Sequence, residues 1–238
     1  MLRRLSPKEN QLIAETWDFR ASAERSALRR FRRLHTELIN DGAPEVILNL
    51  VEQACDDEDR HIGLCDELAA NYGWDRAPSP PTAHHPIGPS HLSDRDRLAY
   101  EMVAFCCITE TINASMLLEV YRRTKAPDIK STVHAILKDE VNHSKIGWAF
   151  LQHIKQEGRT SGLNPLLPRM FKGAGVEEIY EPYTDERDNA YMADYGELGF
   201  KDRTGIFEAV IRDVIFPGLD TMGLDTGPCR DWLAQTIA

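Results

Sequence analysis

At 238 residues the chain is long enough for one sizeable core, or for a helical bundle with an appendage. Its 38 acidic residues against 28 basic ones leave a net charge of −10, which argues against nucleic acid as the main partner, because phosphate binding needs a positive surface. No apolar run approaches the roughly 20 residues that span a bilayer. None follows the basic residues of MLRRLSPKEN either, so neither a membrane partner nor a signal peptide is expected.

Apolar spacing and helix breakers predict four long helices. The first spans about residues 6–40 and stops at Asp41-Gly42-Ala43-Pro44. It carries Arg29, Arg30, Arg32 and Arg33, read as a solvated helix face in preference to a docking patch. The second runs over about 45–71 and stops at Tyr72-Gly73. A loop rich in proline and histidine follows over 74–92. Ser93-Asp94-Arg95-Asp96 then reads as an N-cap with an acidic first turn. The third helix continues to about 124, where Lys125-Ala126-Pro127 breaks it, and the fourth runs over about 127–156 and ends at Gly158. Beyond that, Gly173, Gly175, Pro182, Gly196, Gly205 and Pro217 punctuate shorter segments. The expectation is an all-α chain: a four-helix bundle over 1–158, and a C-terminal extension of short helices over 159–238 packed on it. Cys55, Cys65, Cys106, Cys107 and Cys229 are odd in number and form no CxxC pair, which suits free thiols in a reducing cytoplasm.

The strongest signal is a weak internal repeat. The second helix contains Asp57-Glu58-Asp59-Arg60-His61 and the fourth Asp139-Glu140-Val141-Asn142-His143, both D-E-x-x-H. A helix turns about 100° per residue, so a glutamate and a histidine three apart share a face and can bind one metal ion. Two such motifs on separate helices supply the halves of a two-metal site, which also needs a glutamate from each remaining helix. In an antiparallel hairpin, residues equidistant from the turn are level. Glu24 and Glu58 are centred on Asp41, and Glu110 and Glu140 on Lys125, both in predicted turns. Glu15, Glu37 and Glu101 would need turns inside helices. If the second and third helices run parallel, the chain must climb roughly 45 Å between them. The connecting loop can span about 65–70 Å when extended.

Glu24, Glu58-x-x-His61, Glu110 and Glu140-x-x-His143 together resemble the six ligands of the ferritin-like di-iron carboxylate superfamily, a resemblance that covers about residues 6–157. It implies a ferritin-like four-helix bundle with a long crossover between the second and third helices, holding two iron ions. Mixed carboxylate and imidazole ligation without thiolate suits iron or manganese better than structural zinc. The resemblance also implies that Asp57 and Asp139 hold the other ring nitrogen of a ligand histidine. Ribonucleotide reductase radical subunits, in the same superfamily, carry a tyrosine seven residues after the first ExxH glutamate; Cys65 stands there, so no tyrosyl radical is expected at that position. The histidines outside the motifs, His35, His84, His85, His91, His134 and His153, are read as structural or exposed.

One turn beyond His61, Glu110 and His143 come Cys65, Ala114 and Gly147, with Cys106 and Cys107 one turn before Glu110. These small residues either leave a pocket beside the metals or allow close helix packing. The expected function is an oxygen-activating di-iron oxidase or oxygenase, with dioxygen as co-substrate, a small organic substrate, an electron donor and a homodimeric assembly. Iron oxidation or storage, and peroxide scavenging of the rubrerythrin type, are the alternatives.

Overall fold

A computed structural model describes residues 3–78, 86–179 and 190–237, and these are helical with no strand among them. The middle of the proline-rich loop, with His84 and His85, and the stretch 180–189, with Pro182, lie outside the described residues. The four long helices are α1 (Pro7–Asp41), α2 (Glu45–Asn71), α3 (Asp94–Arg123) and α4 (Pro127–Gln156). Their ends follow from local chemistry. Ser6 and Glu9 form a reciprocal capping box, with Pro7 in the first turn. Gly42, at φ 75°, lets the chain reverse so that the amides of Gly42 and Ala43 satisfy the carbonyls of Ile39 and Leu38. Ser93 accepts from the amide of Asp96 at 3.1 Å and opens α3.

Contacts at the helix ends fix the directions. Asp41, closing α1, receives Arg95 from the start of α3 at 2.7 Å and Arg159, just past α4, at 3.2 Å. At the other end Tyr72, just past α2, meets Asp128 at the start of α4 at 3.4 Å. So α1 and α4 run one way, α2 and α3 the other, with the end of α2 and the start of α3 at opposite ends of the helices. The core lies between them, built from Ile13, Trp17, Phe31, Leu34, Val51, Leu68, Val103, Ile108, Ile136 and Phe150.

Met102–Thr109 in α3 is a π-helix, buried from Met102 through Ile108, a departure from the regular helix expected there. Glu101 and Glu110 are nine residues apart, which in an α-helix places them about 180° apart. The wider π turn, roughly 80° per residue, brings them to nearly the same side. Glu101 then turns to α1, where Arg30 (2.8 Å) and Arg33 bind its fully buried carboxylate. Two of the four clustered arginines are therefore ion-paired inside the fold, which corrects the reading of that stretch as a solvated face. The apolar π segment also makes α3, among the described residues, the one helix long and apolar enough to cross a membrane, against the expectation of none; 67% of that stretch is buried inside the protein.

The C-terminal segments are α5 (Leu167–Ile179), α6, which runs as Phe200–Val210, a π segment Ile211–Ile215 and Phe216–Thr221, and α7 (Gly227–Ile237). α5 lies against the π segment of α3, and the first part of α6 against the C-terminal half of α3. Asp194 accepts from the amides of Lys125 and Ala126 in the α3–α4 turn, Glu197 binds Thr16, and Arg123 pairs with Asp202 at 2.6 Å.

Where α4 crosses the π segment the backbones nearly touch. A Cβ on Gly147 would lie 2.5 Å from the Cys107 amide nitrogen and 2.6 Å from the Cys106 carbonyl carbon. Gly147→Ala should therefore destabilise the protein by about 1–3 kcal/mol. Gly63→Ala, on an open helix face with nothing within 4 Å, should stabilise it by about 0.5–1 kcal/mol. Urea titrations of the two variants, at unchanged m-value, check both.

Candidate metal centre

Each long helix carries part of the centre: Glu24 from α1, Glu58 and His61 from α2, Glu110 from α3, Glu140 and His143 from α4. The structure brings all six into two groups that share Glu140. Donor atoms of Glu24, Glu58, His61 and Glu140 lie within 4.8 Å of one another, and so do those of Glu110, Glu140 and His143. Nδ1 of His143 is 3.2 Å from Glu58 and 3.5 Å from Glu140; Nδ1 of His61 is 3.4 Å from Glu140 and 3.8 Å from Glu58. Glu58 and Glu140 thus each sit between both imidazoles. Five of the six side chains are buried, and Glu24 is half-buried.

The outer ring nitrogens face aspartates from the opposite helix. Nε2 of His61 is 3.2 Å from Asp139, and Nε2 of His143 is 3.5 Å from Asp57. A carboxylate there favours a proton on Nε2, so that Nδ1 is the nitrogen that would face a metal ion once its own proton is displaced. Arg60 ties the two aspartates together, at 2.8 Å from Asp57 and 2.6 Å from Asp139, and Gln53 donates to Asp57 at 2.9 Å. Sequence reasoning missed Arg60, although it stands three residues after Asp57 inside the first motif. It also missed Asn113, three after Glu110, whose amide reaches Glu140 at 3.4 Å.

The protonation states follow from crowding. Burial raises the carboxyls of Glu24 and Glu110 well above the usual range, and the neighbouring carboxylates Glu58 and Glu140 raise them further. Burial alone would make His61 and His143 less basic, but Glu140 and Glu58 outweigh it and push them up to about 10 and about 12. Burial works against ionisation of Glu140 too, yet the two histidines hold it far below the usual range. A metal ion fits this donor set. Oε2 of Glu58, Oε1 of Glu140 and the Nδ1 atoms of His61 and His143, all facing the centre, are buried and make no hydrogen bond. Buried polar atoms left without partners are destabilising, and a cation between them would supply what they lack.

The small residues near the centre leave, by sequence, either a pocket or close helix packing. Gly147 and Cys107 are occupied by the close α3–α4 contact, so they leave no room beside the centre. Cys65 is fully buried, with its thiol pushed up first by burial and then by the charge of Glu24. Ala114 is half-buried on α3. Outside the centre, His134 stacks on Tyr121 at 5.2 Å and His153 lies 3.7 Å from Glu157. Comparison of the chain with protein-family models, with curated proteins and with solved structures finds no match.

Protons and metal compete for these groups. At pH 7 both imidazoles of the metal-free centre, with raised pKa values, carry protons, which an incoming cation must displace. Adding Mn²⁺ to metal-free protein should release protons, and the affinity should rise with pH across 5.5–8. Calorimetry in buffers of different ionisation enthalpy measures the release; a titration with no buffer dependence would contradict the protonation pattern.

Proposed function

We propose that the chain is a ferritin-like four-helix bundle over residues 1–158, with 159–238 as an extension packed on it. On this reading Glu24, Glu58, His61, Glu110, Glu140 and His143 hold two iron ions, with manganese as the other metal this donor set suits. The observation that carries it is the pair of overlapping donor groups sharing Glu140, with unpartnered buried atoms in both. The four carboxylates balance the charge of two divalent ions, and Asp57 and Asp139 orient the imidazoles.

We infer that the protein is an oxidoreductase, an oxidase or oxygenase that uses dioxygen on a small organic substrate and takes electrons from a separate donor. The metals when bound would supply the electrons for reducing dioxygen. The chain's own residues do the rest. Glu58 and Glu140, each between the two imidazoles, hold both ligand sets in register. Arg60, paired with both Asp57 and Asp139, holds the two carboxylates in place. The apolar π segment and α5 exclude water on the α3 side. The free thiols suit a cytoplasmic setting, and a homodimer is the assembly we expect.

Protein loaded anaerobically with ferrous iron and then exposed to air tests this reading. Reductant-dependent oxygen uptake at limiting iron, with two irons per chain retained after gel filtration, supports the oxidase or oxygenase. Repeated oxidation of excess ferrous iron, with many ferric ions retained per chain, contradicts it and favours iron storage. Glu140→Ala, which removes the shared carboxylate, should reduce bound iron to one or none.

A further inference from the structure

The two halves of the centre are not held alike. Glu24, Glu58 and His61 stand on α1 and α2, in stretches of ordinary α-helix. Glu110 and His143 stand on α3 and α4, and both are tied to the π segment Met102–Thr109. Glu110 is the residue that follows it. His143 is tied to it through one ring: the fully buried Phe31 of α1 lies edge-on to the imidazole, with centroids 5.4 Å apart, and packs on Phe105 at 5.1 Å. One turn beyond His143, Gly147 rests on the backbone of Cys106 and Cys107.

π-helix is rare and occurs mostly as single-turn bulges, so eight residues of it need an external hold. Glu101, the residue just before the segment, supplies one. Its carboxylate is fully buried and bound by Arg30 and Arg33 of α1. The Arg30 guanidinium also lies over the Phe105 ring, 4.8 Å from its centroid. A buried carboxylate cannot leave its partners without a large penalty, so Glu101 is anchored. Relaxation of the segment to α-helix would turn Glu110 relative to Glu101 by roughly 160°. An α-helix therefore cannot keep Glu101 on the arginines of α1 and Glu110 beside Glu140 and His143 together. The buried ion pair fixes the π register, and the register aims Glu110.

Resting on the two-metal reading, we propose that Glu101, Arg30, Arg33 and Phe31 form a clamp that positions the ligands of one metal ion and not those of the other. Glu101, held by the two arginines, sets the rotation of Glu110. Phe31, between Phe105 and His143, sets the plane of the imidazole. The ion held by Glu110, Glu140 and His143 depends on this clamp, and the ion held by Glu24, Glu58, His61 and Glu140 does not. None of the four clamp residues belongs to either donor group, so all four are positioning residues.

Manganese titration of the metal-free protein, followed by calorimetry and by electron paramagnetic resonance, tests the proposal. The wild type should take up two ions and give the broad spectrum of a spin-coupled pair. In Glu101→Gln one ion should bind at least tenfold more weakly and the other within threefold of its wild-type affinity, leaving the six-line spectrum of an isolated ion. Phe31→Leu, which keeps the ion pair, should weaken the same ion, and Glu101→Asp should recover part of the loss. Arg159→Gln, which breaks an ion pair at the end of the bundle, should leave both ions bound. The anomalous peak of the manganese retained by Glu101→Gln should lie among Glu24, Glu58 and His61. A peak beside Glu110 and His143, equal weakening of both ions, or no weakening of either would overturn the clamp. If Glu101→Gln does not fold, Phe31→Leu decides by the same outcomes. A wild type that binds fewer than two ions defeats the two-metal reading instead. The clamp is then judged in the metal-free protein, where amide exchange over residues 102–110 should quicken at least tenfold in Glu101→Gln, and unchanged exchange would overturn it.

Discussion

Four carboxylates crowded with two imidazoles in the middle of a helical core are the constraint on which this structure depends. Two unit charges 4 Å apart interact by about 4 kcal/mol at the effective dielectric of a protein. The repulsion among several glutamates is therefore comparable to the whole stability of a domain, about 5–15 kcal/mol. The chain answers with positive charge in the same place. Protonated His61 and His143 compensate Glu58 and Glu140 in the metal-free centre, while Glu24 and Glu110 stay protonated against their neighbours. Metal ions would replace those protons, so the crowding that weakens the metal-free fold is also the driving force for binding a cation.

The surroundings are close to symmetric about the α2–α4 pair. Each motif supplies a glutamate and a histidine to the centre and an aspartate to the other motif's histidine, so neither helix completes its half alone. The symmetry breaks at one position. Arg60 stands where the second motif has Asn142; Asn142 faces outward, within 2.9 Å of Lys145, and a single arginine serves both aspartates. Asp57 gains Gln53 besides. Arg60 thus couples the two imidazoles through their carboxylates, and a change at one aspartate is felt at both.

Much of this was legible in the sequence, because the signals were local or periodic. Breakers placed α1, α2 and α4 within a residue or two: Gly42 and Pro44 between the first pair, and Pro127 and Gly158 around the last. Equal counting from the turns selected Glu24 and Glu110. Glu110 lies beside Glu140 and His143 because the two helices on either side of the turn are ordinary α-helix there and the π segment lies wholly before Glu110. The π segment itself left no mark, since its run of apolar residues reads the same at either pitch, and with it went the burial of Glu101 against α1. Arg30 and Arg33 looked solvated because their partner lies 68–71 residues away. Gly147 stayed open between a pocket and close helix packing because sequence spacing shows which face a residue takes but not how near the facing backbone comes.

On the α4 side of α3, Gly147 and the π backbone close the structure to contact distance. The most direct test of the central claim is crystallographic. Anomalous difference maps recorded at the iron edge, from crystals of iron-loaded protein, should show two peaks per chain enclosed by Glu24, Glu58, His61, Glu110, Glu140 and His143, with Glu58 and Glu140 between them. A single peak, or iron bound only outside these six side chains, would contradict the account.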